Sequence, residues 1–186
     1  MALKRLPKKY NKAEAVVRDY LSDDDSEDTA ALIRRLRPAK VRGYLTKSEL
    51  EAVCHWKSPR ALRLIQSNSA ATIRGATSRA LATRSERRRL EELTALQGVS
   101  VPMASAILML LDPERYGVID IRVWQLLYAL GTVSGNADGK GFTFNHWYRF
   151  LMIIRHIARK LRTTARRVEV ALFLAHRDYQ KDVLYD

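Results

Sequence analysis

One cysteine, Cys54, stands in a chain of 186 residues. A lone thiol excludes an internal disulfide and any zinc site built from several cysteines, and the default location for such a chain is intracellular, cytoplasmic or nucleoid. Glycine and proline are scarce, at 8 and 5 residues, which favours continuous helices over turn-rich sheet or low-complexity linkers. The four histidines, His55, His146, His156 and His176, fall on separate segments without ligand spacing, which argues against a metal centre. No apolar run reaches the length of a membrane span, so no membrane partner is expected. The glycines carry neither Walker nor dinucleotide spacing, and no internal repeat emerges.

What the chain has in excess is positive charge. Lysine and arginine number 33 against 20 acids, for a formal charge of +13. Five of those acids, Asp23, Asp24, Asp25, Glu27 and Asp28, fall in one short run, so the remainder is more basic still. That imbalance is the footprint of a nucleic-acid binder. The acidic run fits no calcium loop and reads as a solvated segment opening a helix, where carboxylates suit the dipole.

Apolar spacing divides the chain into nine or ten helices in one domain, 1–186, with two small lobes around a cleft as the alternative arrangement. A basic arm, Met1 to Lys9, precedes a helix capped by Asn11 and running to about Leu21. Thr29 to Arg37 is an amphipathic helix that Pro38 should stop. Thr46 and Glu49 have capping-box spacing, and Ser58-Pro59 reads as a cap followed by a first helical position. Two helices follow between Asn68 and Leu93, divided near Thr83 to Ser85. Phe144 to Leu161 is the longest helix, and Thr163 or Thr164 caps the last. The segment 131–143, with Gly131, Gly135, Gly139 and Gly141, reads as the longest flexible connection, a mobile linker or a DNA-facing loop.

The centre of the chain carries the functional pattern. Leu90, Leu93 and Leu96 give one helix a buried edge; Met103, Ala106, Ile107, Leu110 and Leu111 give the next its own. Between them lies Gln97-Gly98-Val99-Ser100, with Pro102 where a helix begins. This is a helix-hairpin-helix pattern over about 86–111, whose glycine can bring backbone N–H groups against a phosphate at the positive end of the second helix. Further along, Asp120 opens a helix of about 120–130.

Leu96-x-Gly98-Val99-x-x-x-x-Ala104, followed by Val118-Ile119-Asp120-Ile121-Arg122-Val123-Trp124, resembles the helix-hairpin-helix GPD superfamily of DNA glycosylases, the enzymes of base excision repair. The resemblance implies an all-α glycosylase-like fold, double-stranded DNA as partner, a monomeric protein, and Asp120 as the catalytic aspartate. It implies a phosphate grip at Gln97, Gly98, Val99, Ser100 and Val101, with Arg122 near the flipped nucleotide. In a glycosylase, Trp56, Lys57 and Trp124 are candidates for stacking on a base or holding the strand. The carbonyls of Thr94, Leu96 and Val99 match a monovalent cation site, for sodium or potassium. No further cofactor is required, and the single cysteine rules out the iron–sulfur cluster some members carry. Bifunctional members place a Schiff-base lysine in the second hairpin helix; the matching residue here is Pro102, so a monofunctional, water-using hydrolase is implied. Ser100 stands where the family has a second hairpin glycine.

The chemistry suits a carboxylate. Breaking the bond from base nitrogen to deoxyribose passes through a sugar with cationic character, which a nearby carboxylate stabilises while orienting water. Two other readings stay open: a non-catalytic DNA-binding protein in which Asp120 is only an N-cap, and a helical scaffold that binds protein.

Overall fold

The computed structural model describes residues 6–22 and 25–179, and among these the protein is all-helical, with ten α-helices and no strand. Residues 1–5, Asp23 and Asp24 lie outside the described residues, so most of the basic arm and two members of the acidic run are not placed.

α1 (Ala13–Tyr20) buries Val16 and Val17 and packs along α10 (Ala165–Tyr179). It starts after Lys12 rather than at Asn11, and no side chain caps it. α2 (Glu27–Arg42) is capped by Ser26, whose hydroxyl accepts the Thr29 N–H. It also runs through Pro38, where a stop was expected. The proline faces solvent, while Leu36 and Ala39 on either side of it are fully buried. Burial on both flanks therefore outweighs the lost hydrogen bond, and the helix ends at Gly43, whose φ of 81° supplies a left-handed cap.

α3 (Lys47–Lys57) opens on the capping box of Thr46 and Glu49. Pro59 then begins a short 3-10 turn (Pro59–Ala61) leading into α4 (Leu62–Gln66). α5 (Ala70–Ala82) is capped by Ser69, and α6 (Glu86–Thr94) by Ser85. α7 (Val101–Leu111) is the most apolar helix; every residue from Met103 to Leu111 is buried, which makes it the axis of the core. α8 (Ile121–Ala129) starts at Asp120, and α9 (Phe144–Leu161) matches the expected longest helix end to end. Thr164 caps α10 through the Arg167 N–H. Buried apolar residues from all ten α-helices, together with connection residues such as Leu45, Leu96 and Val133, join a single contiguous core.

Segment 131–143 is held to α8 by side-chain contacts. Trp124 Nε1 donates to the Asn136 carbonyl at 2.9 Å, and Gln125 Nε2 to the Asp138 carbonyl at 3.1 Å. Gly139, at φ 66°, lies so close to Ile121 that a Cβ would sit 3.2 Å from its carbonyl oxygen. The loop is thus fastened to the start of α8.

Candidate active site

Asp120 is placed by its neighbours in the chain. The preceding residues, Val118 and Ile119, are buried and outside any helix, so their N–H groups need other partners. Ser105, fully buried in α7, accepts the Ile119 N–H at 3.1 Å and donates to the Pro102 carbonyl at 2.8 Å. On the other side, Glu169 of α10 accepts the Val118 N–H at 3.3 Å. Gly117 lets α10 approach, since a Cβ there would lie 2.8 Å from the Glu169 Cβ. A clamp from two helices therefore sets where α8 starts.

Asp120 then caps that helix, its Oδ1 accepting the Arg122 N–H at 2.9 Å. Its other oxygen, Oδ2, lies 3.2 Å from Lys57 Nζ, at the end of α3. The two side chains are 19% and 17% exposed, so the pair is mostly sheltered yet open to a ligand.

The pair forms part of the wall of a cavity of about 580 Å³. Ser100 at the end of the α6–α7 connection and Val101 at the start of α7 contribute to it, the 131–143 loop contributes Lys140 and Phe142, and Arg60 and Arg122 add positive charge. A second cavity of about 500 Å³ shares Lys57, Asp120 and Phe173 and continues past Trp56 to Asp25, Arg166 and Glu169. Arg166 there pairs with Asp25 at 2.8 Å and with Glu169. Burial pushes the Glu169 carboxyl above its ordinary value, against the opposing pull of Arg166, the Val118 N–H and Lys57.

The α6–α7 connection is anchored from inside. Gly98 adopts φ 79°, and a Cβ on it would lie 2.9 Å from the Leu64 Cβ and 3.1 Å from the Ile65 nitrogen. Asn68, almost buried, accepts the Gln97 N–H at 2.9 Å and donates to the Gln97 carbonyl at 3.0 Å. Ser100, in the second-glycine position, caps α7 by accepting the Met103 N–H, and Pro102 follows Val101 inside the first turn. Of the three carbonyls matched to a cation, that of Leu96 accepts the Val99 N–H at 3.1 Å. The bend thus keeps its shape through hydrogen bonds of its own.

The structure accordingly gathers Asp120, Lys57, Ser100, Val101 and Arg122 around one cavity and sets Trp56 on the adjoining one. Gln97 is exposed beside them, and Val99 is buried within the bend. Trp124 differs from its sequence-based expectation. It is fully buried, with its ring edge-on to Phe142 and His146, and it supports the loop instead of facing a base. Arg60, Lys140 and Phe173 went unnoticed in the sequence because they come from three distant segments. Among the described residues no cluster of three metal-binding side chains occurs, and no helix is long and apolar enough to cross a membrane.

Comparison of the chain with models of known protein families, with curated proteins and with solved structures finds no match. The reading of the site therefore rests on its own geometry.

Proposed function

We propose that the protein is a DNA glycosylase that excises a damaged or mismatched base from duplex DNA. The observation that carries this reading is a half-sheltered carboxylate, Asp120, on a cavity walled by the α6–α7 bend and by Lys57, Arg60, Arg122 and Lys140. In this reading the bend is a helix-hairpin-helix phosphate grip. The start of α7 and the basic side chains hold the strand, and the flipped nucleotide enters the cavity. The carboxylate stabilises cationic character on the sugar as the base leaves and orients the water that adds to C1′. Three neutral carbonyls, of Thr94, Leu96 and Val99, suit sodium or potassium between bend and phosphate; the excision itself needs no cofactor.

Duplexes each carrying one altered base, treated with hot alkali after incubation, test the reading. Asp120→Asn keeps a capping acceptor but removes the charge, so the variant should fold normally and lose base release by about a hundredfold or more. Failure of the native protein to release any base would end the enzymatic reading.

One observation favours a second reading, a DNA-binding protein without activity. Asp120 already has two structural tasks, capping α8 and pairing with Lys57. That reading expects salt-sensitive DNA binding retained in Asp120→Asn, with no base released by either protein.

A further inference from the structure

We propose that the protein carries a phosphate-binding site separate from the Asp120 cavity, formed where α9 ends against the connection between α7 and α8, and that its ligand is a phosphate ester. The site goes beyond the glycosylase reading and does not depend on it.

A cavity of about 480 Å³ lies there and shares no wall residue with either cavity at Asp120. Met152, Arg155 and Arg159 recur on one face of α9 at spacings of three and four, Arg162 follows at its end, and Arg115 approaches from the α7–α8 connection. Glu114 is the one carboxylate on this wall among the described residues. Glu86, outside the wall, is 3.0 Å from Arg155 and 3.6 Å from Arg115 but is already shared with Arg89. Among the described residues no carboxylate pairs with Arg159 or Arg162. Positive charge therefore exceeds negative around a space that can hold an anion.

Three features distinguish this cluster from a solvated face. Every cation on the wall is an arginine, whose planar fork matches phosphate oxygens, whereas Lys160, next to Arg159 in the chain, pairs instead with Glu14 at 2.8 Å. Arg155 is held in place before any ligand arrives: its Nε donates to the Arg115 carbonyl at 2.7 Å and its Nη2 to Glu86 at 3.0 Å. Arg162 adopts φ 53°, the left-handed cap conformation that at the end of α2 belongs to Gly43. A side chain is strained there, so the arginine stands at a cost to its own helix cap. The carbonyl end of α9 would repel an anion, but the N–H groups of Arg162 and Thr163 bond to the Arg159 and Ala158 carbonyls. Met152, exposed on the same wall, offers an apolar surface to the organic part of the ester.

An NMR titration of the full chain with sodium pyrophosphate, at ionic strength held constant with sodium chloride, tests the assignment. Saturable shifts are expected at the Nε–H signals of Arg155, Arg159 and Arg162. Arg159→Gln and Arg162→Gly should each weaken binding by about tenfold. Arg162→Gly should at the same time melt higher than the native protein, because glycine relieves the left-handed cap; that opposite movement separates a lost ligand contact from a lost fold. Arg159→Gln leaves the cap alone and carries the same test should Arg162→Gly fail to fold. A nucleoside 5′-monophosphate and an oligodeoxynucleotide without terminal phosphates then distinguish the sources of the group. Tighter binding of the first identifies a free phosphorylated compound as the ligand, tighter binding of the second a nucleic-acid backbone. Shifts that stay linear with concentration, that are confined to residues around Asp120, or that survive both substitutions overturn the site, and none of these results bears on base release.

Discussion

Gly98 and Ser105 are the two single residues on which the geometry around Asp120 depends most directly. Gly98 combines a left-handed backbone with contacts too close for any Cβ. Gly98→Ala should therefore cost about 2–4 kcal/mol, from the conformational penalty plus overpacking against α4. Chemical denaturation would show it as a lower midpoint at unchanged slope. Ser105→Ala leaves the Ile119 N–H buried without its acceptor and should cost about 1–3 kcal/mol. On the proposed glycosylase reading it should also impair base release beyond what the stability loss explains, because Ile119 directly precedes Asp120; kinetics well below the melting temperature separate the two effects. The sequence reveals Gly98 as a turn residue but not its second reason, the approach of α4, which is more than thirty positions away in the chain. It likewise marks Asp120 as a helix start and singles out Lys57, but does not show that the two, 63 residues apart, pair with each other. Local patterns announce caps and turns; partners brought together by folding leave no such trace.

At the scale of elements, legibility follows how local the cause is. α9 is written in an unbroken apolar stripe, and the α3 capping box in residues three apart, so both are visible in the chain. α2 is the counterexample: the stop expected at Pro38 obeys a backbone rule, and the continuation to Arg42 obeys packing. Pro38→Ala tests that account. It restores a backbone donor at an exposed position without disturbing Leu36 or Ala39, and should raise stability by about 1–2 kcal/mol, the gain tempered by the freer unfolded chain. A fall in melting temperature would mean that the proline shapes α2 usefully. The 131–143 loop carries contacts that its glycines do not announce: Trp124, read from the sequence as a base-stacking candidate, and Gln125 both donate to its carbonyls.

Across the whole molecule, Glu86 ties together α6, α9 and the segment that follows α7. At the start of α6, it accepts from Arg89 on its own helix, from Arg155 on α9 at 3.0 Å, and from the Tyr116 hydroxyl after α7. Burial alone would raise its pKa, but Arg89, Arg155 and Tyr116 together hold the carboxyl below its usual 4.5. A carboxyl depressed in the folded state contributes stability that is complete above its unfolded value and is withdrawn as pH falls through the depressed one. Glu86→Gln should accordingly be less stable than the native protein at pH 7, with the two curves converging as pH falls below 4.5 and through the depressed value. Denaturation series at stepped pH measure this, and parallel curves would show that Glu86 contributes no pH dependence.

The clamp on Val118 also has a bearing on synthesis. Glu169 lies 51 residues beyond Val118, in the early turns of α10, so synthesis must enter that helix before both sides of the clamp ahead of Asp120 can close. Until the chain reaches Glu169, only the Ser105 half of that clamp can form.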